Sequence, residues 1–331
     1  MKFAVVGAGA IGTFVGACLA AGGEDVALVA RGAHLEAMRR RGVRVIFQTG
    51  EELTANIFAT ADPAEVGLVD VVFLALKAPS LRLMAPRLAP LLGAETPVVA
   101  GQNGIPWWYF EKCGGPLEGT HLDAVDPGGL ISAAIPARRV IGCVIYCSIE
   151  IAEPGVVRQI EGNRFAIGEL DGARSERCRR ISQAFQKGGL KCAVRSRIRH
   201  DIWVKLIGSL AFNPISALAR ADMDEIVRDP RTRALARVVM EEGEAVARAS
   251  GMELEITVDQ RLEGAARVGA HKTSTLQDLE MGRPLELDAI VGAVVELAEK
   301  LGVAVPHTRT LYACAGLLEK RALQGASGSV K

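Results

Sequence analysis

The sequence predicts an α/β protein in which an N-terminal doubly wound parallel sheet is followed by a C-terminal all-α domain. Three observations carry this. The chain opens on a short apolar strand that runs straight into Gly7-Ala8-Gly9-Ala10-Ile11-Gly12 and then an Ala-rich helix. Strand and helix signals alternate from residue 1 to about 110. From Ser196 the apolar period is helical to the end.

Taken in order, strands are expected at 2–7, 26–30, 43–47, 70–76 and 97–101. The run Val69 to Leu76 is nearly continuous apolar, as a strand covered on both faces requires. Residues 136–170 change character. Strands at 140–151, 155–160 and 164–168 read as antiparallel, with turns at Glu153-Pro154-Gly155 and Glu161-Gly162-Asn163, and extend the sheet. Helices are expected at 200–219, 230–250, 258–268, 287–301 and 308–323, with Gly251, Gly302 and Pro306 as stops. The division is then a sheet domain over 1–195, a helical domain over 196–325 and a frayed tail over 326–331. A cleft between the two domains is the expected place for a substrate.

Composition narrows the class. The chain has 331 residues, 49% hydrophobic and 23% charged, enough for two cored domains and too apolar for disorder. A net charge of +1 argues against nucleic acid or an anionic membrane surface as partner. The basic clusters Arg39-Arg40-Arg41 and Arg195 to Arg199 read as solvated surface. Seven scattered cysteines without a Cys-x-x-Cys pair argue against a disulfide framework, and more so against a zinc site, and fit a reducing cytoplasm best. No targeting segment is read at the N-terminus, and no apolar run is read as a membrane span.

The glycine turn is the sharpest motif. Gly-x-Gly-x-x-Gly between strand and helix is the Rossmann-type dinucleotide signature. Gly7 permits the tight turn, Gly9 lets backbone approach a pyrophosphate, and Gly12 lets helix and strand pack. Ala8, Ala10 and Ile11 supply the intervening amides at the positive end of the helix. The next strand selects the dinucleotide. It ends at Arg31, with no Asp or Glu there; Glu24 and Asp25 stand at its other end. A ribose 2′-hydroxyl calls for an acid at this point, whereas a 2′-phosphate calls for a cation. The cofactor read from these residues is NADP(H). On its own, Arg31 would be an ordinary solvated arginine. Two more groups stand at carboxyl ends of strands, where ligands bind such sheets: Lys77 in Leu76-Lys77-Ala78, and Asn103 in Gln102-Asn103-Gly104. Asn-Gly is also simply a good turn.

In the helical domain, Lys205, Ser209 and Asn213 stand at intervals of four in an otherwise apolar run. Each step of four advances only about 40°, so they form one narrow polar stripe. Pro214 loosens the helix beside Asn213. A lysine in such a run either snorkels to solvent or serves an anion, and periodicity alone does not choose. Downstream lie the hydroxyl-rich segment Lys272 to Asp278, including Ser274, and Glu286, which reads equally as a first-turn helix acid.

Together these residues resemble the ketopantoate reductase (2-dehydropantoate 2-reductase) family nearly end to end. The marks are the glycine turn, Leu76-Lys77-Ala78, Gln102-Asn103-Gly104, Trp203-x-Lys205-Leu206, Asn213-Pro214, Ser274-x-Leu276-Gln277-Asp278 and Glu286-x-Asp288. The resemblance implies an NADPH-dependent reduction of a 2-oxo acid to a 2-hydroxy acid, ketopantoate to pantoate, in pantothenate biosynthesis. It implies Lys205 as catalytic lysine and Glu286 as the acid beside the substrate hydroxyl. Asn213, Ser274 and Ser209 fall at substrate positions, and Asn103 falls near the nicotinamide.

Two departures bear on the substrate. Ser209 stands where the family pattern has a second asparagine. The glycine-rich continuation after Gly104 is replaced by Ile105-Pro106-Trp107-Trp108-Tyr109-Phe110, read as core or interface anchors more than as pocket lining. The alternatives are a paralogous NADP-dependent dehydrogenase of another hydroxy or imino acid, and a non-catalytic NADP-binding sensor. A sensor would need none of Lys205, Asn213, Ser274 and Glu286. The apolar C-terminal helices can bury one another or a second subunit, so a homodimer stays open.

Overall fold

The computed structural model describes the backbone of residues 1–328 and the side chains through residue 324. Two compact units are present. One comprises Met1–Gln102, Trp108–Thr120 and Gly129–Ile198; the other comprises Asn103–Trp107, His121–Gly128 and the chain from Arg199 onward. The division is therefore not a single cut near residue 195, because two short loops between strands belong to the helical unit.

The first unit runs β1 (Lys2–Val6), α1 (Ala10–Ala21), β2 (Asp25–Val29), α2 (Gly32–Arg41), β3 (Val43–Ile46), β4 (Glu52–Ala55), β5 (Phe58–Thr60), β6 (Val71–Leu74), α3 (Ala78–Met84) and β7 (Val98–Ala100). It continues with α4 (Leu130–Ala134), β8 (Val140–Glu153), β9 (Val156–Glu169), α5 (Glu176–Lys187) and β10 (Lys191–Val194). The sheet order is β4-β3-β9-β8-β7-β6-β1-β2-β5, with β10 also on β9. From β5 across to β8 every pairing is parallel. Order reverses at β1, with β2 on one side and β6 on the other, which makes a topological switch point at its carboxyl end. β1 and β6 are buried almost throughout, as their apolar runs require. The helix α5 covers the sheet with Cys178, Ile181 and Phe185 on one stripe, and Ser175 caps it through the Cys178 amide.

The strands expected at 155–160 and 164–168 are one strand, β9. Its first half pairs with β3 and its second with β10, both parallel, while β8 runs antiparallel along it. Glu161-Gly162-Asn163 is not a turn. Gly162 adopts φ +68°, and the ladder slips between Tyr146 and Ser148, so these residues form an irregular, bulged stretch. A Cβ at Gly162 would stand 2.6 Å from the Tyr146 carbonyl oxygen. The short strands β4, β5 and β10 carry too little apolar alternation to be read in advance. The Arg39-Arg40-Arg41 cluster is anchored more than expected: its guanidiniums donate to the carbonyls of Ala59, Glu36 and Pro154.

The helical portion runs α6 (Ile198–Ala219), α7 (Met223–Arg228), α8 (Pro230–Ala249), α9 (Val258–Val268), α10 (Ser274–Glu280), a π-helical turn (Asp288–Gly292) that leads into α11 (Ala293–Leu301), and α12 (Pro306–Gly328). Asp222 with Glu225 and Thr257 with Gln260 form capping boxes at α7 and α9. Pro306 opens α12 rather than stopping a helix, since a first-turn proline loses no helical hydrogen bond. Of the frayed tail expected at 326–331, α12 reaches Gly328 and the last three residues lie outside the described ones. Contrary to expectation, one helix among the described residues, α6, is long and apolar enough to cross a membrane; 67% of its most apolar window is buried in the fold.

Two buried carboxylates hold helix starts. In the first unit Glu169 receives Arg177 Nε and Nη2 and the Ser175 hydroxyl. In the second, Glu242 on α8 receives the His307 and Thr308 amides and the Thr308 hydroxyl at the start of α12. Burial pushes both carboxyls up, but these hydrogen bonds outweigh it and hold both below the ordinary glutamate value. A depressed folded-state pKa stabilises fully above the unfolded value and loses that stability as pH falls through the folded one. Urea midpoints should therefore decline below about pH 4.3, the unfolded glutamate value. Glu242→Gln should shrink that decline and lower stability at neutral pH by about 2 kcal/mol, read from the same denaturation curves.

Candidate active site

The glycine turn is shaped by contacts that exclude side chains. Gly7 sits at φ +94°, and a Cβ there would lie 2.7 Å from a Leu76 methyl. Its amide and that of Ala8 both donate to the Val29 carbonyl, at 3.1 and 3.0 Å, which ties the turn to the end of β2. A Cβ on Gly12 would stand 2.3 Å from the Gly7 oxygen. The Thr13 hydroxyl donates to the Ala8 carbonyl from inside α1. Gly9 differs: it precedes α1 and has open space where a Cβ would be, with nothing within 4 Å. Ala10 and Ile11 follow in the first turn, partly exposed. A rigid turn with one open glycine at a helix start fits the close approach of a pyrophosphate.

Arg31 stands two residues beyond Val29, at the start of α2. Its exposed guanidinium makes no hydrogen bond or ion pair with the described residues. Lys77 follows β6 at the start of α3 and is partly buried. Gln102 Nε2 donates to the carbonyls of Leu74 and Leu76 at the same strand end.

Within the second unit the structure joins three residues that the sequence had left apart. Lys205 Nζ on α6 donates to Asn103 Oδ1 at 2.7 Å. Asn103 Nδ2 donates to Glu286 Oε2 at 2.9 Å. An ammonium and a carboxylate are thus bridged by one neutral amide, whose orientation is fixed by the charge on each side. Glu286 is 7% exposed. It does not act as an ordinary solvated first-turn acid. Lys205 is partly buried, which argues against a simple snorkel to solvent.

The remaining candidates are less closely joined. The Ser209 hydroxyl donates back to the Lys205 carbonyl at 3.4 Å, within its own helix. Asn213, two turns beyond Lys205, is buried, and its amide makes no side-chain hydrogen bond to the described residues. α6 continues through Pro214. Ser274 is the first residue of α10, with its side chain exposed and not hydrogen-bonded to the Lys205–Asn103–Glu286 group. The aromatic run is core: Trp107, Trp108, Tyr109 and Phe110 are all buried.

Reasoning from sequence missed the partners of the residues on either side of Glu286. The Leu285 amide donates to Glu319 Oε1 at 2.7 Å, and the Tyr312 hydroxyl donates to Asp288 Oδ1 at 2.5 Å. The pattern Glu286-x-Asp288 was visible, but nothing in it points to residues on a later helix.

A doubly wound sheet with this glycine turn, together with a second, mainly helical unit that holds the lysine–amide–carboxylate group, places the chain among the dinucleotide-dependent oxidoreductases. Sequence profiles narrow the class. The profile described as ketopantoate reductase PanE/ApbA matches residues 3–107, and that of the C-terminal part of the same family matches 197–319. The chain belongs to the ketopantoate reductase family. A protein of Mesorhizobium japonicum named 2-dehydropantoate 2-reductase is 50% identical over 98% of each chain. One of the same name from Archaeoglobus fulgidus is 31% identical over 93% of this chain and 94% of its own. A crystal structure from Ralstonia solanacearum, described as a candidate ketopantoate reductase, is 40% identical with a TM-score of 0.92, over 97% of this chain and 98% of that one.

The open space at Gly9 yields a prediction. Gly9→Ala should leave the melting temperature unchanged, because the new methyl meets no protein atom, yet weaken NADPH binding measured by nicotinamide fluorescence.

Proposed function

We propose that this protein reduces 2-dehydropantoate to pantoate with NADPH. The observation that carries the reading is the hydrogen-bonded sequence Lys205–Asn103–Glu286 in the helical unit. All three groups come from one chain. The residues of the glycine turn, Gly7, Ala8, Gly9, Ala10, Ile11 and Gly12, would hold the pyrophosphate. Arg31 would meet the 2′-phosphate, with Lys77 and Asn103 toward the rest of the cofactor. Their fit is supported by the open face at Gly9 and by the uncommitted guanidinium two residues past β2. When bound, the reduced nicotinamide supplies a hydride.

The chain's own residues manage charge and protons. Reduction of a ketone leaves negative charge on its oxygen. Lys205 Nζ stabilises that oxygen and gives it a proton, which makes the new hydroxyl. Asn103 Oδ1 aims the ammonium. Glu286 accepts a hydrogen bond from a substrate hydroxyl and receives the other side of the Asn103 amide. Asn213, Ser274 and Ser209 complete the substrate contacts. All seven cysteines are free thiols, which supports a reducing, cytoplasmic setting.

A second reading, a related 2-oxo acid as the substrate, draws on Ser209. A hydroxyl there is shorter than an amide, and its proton is directed into its own helix.

The direct test is oxidation of NADPH with ketopantoate, followed by absorbance. Rapid turnover supports the reading. NADPH binding without turnover shifts the assignment to other 2-oxo acids, tried next as a panel. Arg31→Ala should weaken NADPH binding about tenfold or more and leave NADH nearly unchanged; equal losses would remove Arg31 from cofactor selection. Lys205→Ala should lower kcat by roughly a thousandfold while NADPH still binds.

A further inference from the structure

Glu286 is placed by a short segment that is gripped from two sides. The helix after it begins with a π-helical turn, Asp288–Gly292, in which the Ala293 amide reaches back to the Asp288 carbonyl. Such turns are uncommon and concentrate at functional sites. On one side, the loop that carries Asn103 lies directly on this turn. The Ile105 amide donates to the Ala289 carbonyl at 3.0 Å. Gly104 adopts φ +80°, and a Cβ there would stand 2.0 Å from that same carbonyl oxygen. No side chain fits between the two backbones.

On the other side lies α12. Glu319 holds the amide of Leu285, the residue before Glu286, at 2.7 Å. Tyr312 donates to Asp288, two residues after it, at 2.5 Å. The Tyr312 hydroxyl also fills the space left by Gly292, where a Cβ would come within 2.7 Å of it. Burial and the Asp288 carboxylate push the Tyr312 phenol well above its ordinary value, so it remains a donor.

We propose that Tyr312 and Glu319 are positioning residues for the reaction: by gripping residues 285 and 288 they hold the Glu286 carboxylate against Asn103, and through Asn103 they aim the Lys205 ammonium. The proposal rests on the roles given above to Lys205 and Glu286. A displacement of this segment would move both ends of the Asn103 amide, because the loop bearing it has no clearance from Ala289. Small misplacements of this kind are costly to turnover even when no reacting group is removed.

The test combines single and double variants in the full-length protein. Tyr312→Phe removes one oxygen and keeps the ring. Glu319→Met removes the acceptor for Leu285, and Glu319→Gln keeps one. Steady-state kcat and KM for the 2-oxo acid, NADPH affinity by fluorescence and melting temperature are measured for each, alone and with Glu286→Gln. Tyr312→Phe and Glu319→Met should each lower kcat by roughly tenfold, with NADPH affinity near that of the parent. Glu319→Gln should recover most of the loss seen with Glu319→Met. In the Glu286→Gln background, Tyr312→Phe should add little, since it acts through a group already removed.

Unchanged kcat in Tyr312→Phe and Glu319→Met, with Glu286→Gln impaired, would overturn the positioning role alone. Full multiplication of the Tyr312→Phe and Glu286→Gln losses would do the same. Unimpaired Glu286→Gln would instead remove Glu286 from the mechanism, and the positioning proposal with it.

Discussion

The structure of the helical unit depends on one neutral amide placed between two opposite charges. Asn103 accepts from Lys205 and donates to Glu286, so a single side chain ties the two together. No other side-chain type does this as economically. An aspartate would repel Glu286, and an apolar residue would take one hydrogen bond from each charge. Burying an ammonium and a carboxylate is expensive unless the geometry is good and each is hydrogen-bonded. The surrounding backbone is built to keep that geometry. Gly104 has no Cβ, the π-helical turn lies flush against it, and α12 closes the other side.

The sheet unit meets a different constraint with the same device, the absence of side chains. At the switch point beside β1, Gly7 faces Leu76, and Gly12 faces the Gly7 carbonyl. Both glycines are consumed by protein packing. Gly9 is not, and its open side is what distinguishes a phosphate cradle from a tight βα turn. The two amide bonds to Val29 then couple the turn to β2, so that Arg31 follows at a fixed separation in sequence from the anchored strand end. The selectivity proposed for Arg31 would thus draw on an anchored strand end as well as on one exposed side chain.

Much of this was legible in the sequence because it is local. The glycine turn, the buried strands β1 and β6, and the stripe of Lys205, Ser209 and Asn213 are all set within one or two elements. The Lys205–Asn103–Glu286 connection is not local: Asn103 and Glu286 are 183 residues apart. Their partnership follows from how Ile105 meets Ala289, and no periodicity encodes that. The errors have equally definite causes. Glu161-Gly162-Asn163 has the composition of a turn, but pairing on both edges of β9 holds it in the sheet. Pro306 has the look of a stop, yet a proline is equally suited to the first turn, and Glu242 is placed to receive the amides that follow it.

The departures from the family pattern separate on the same grounds. The run Trp107 to Phe110 replaces a glycine-rich stretch, and it is absorbed by packing rather than exposed to a ligand. Trp108 is 1% exposed and lies against Gly142, where a Cβ would come within 2.6 Å of its ring. Tyr109 and Phe110 stack edge to face with centroids 4.8 Å apart. A tryptophan and a glycine on β8 therefore fit together as a pair within the sheet unit. Ser209 has no such compensating partner. It sits one helical turn from Lys205, and its hydroxyl is turned back on the Lys205 carbonyl. Of the two departures, Ser209 is therefore the one that stands beside the proposed reacting group, while the aromatic segment, the more conspicuous difference in sequence, is spent on packing.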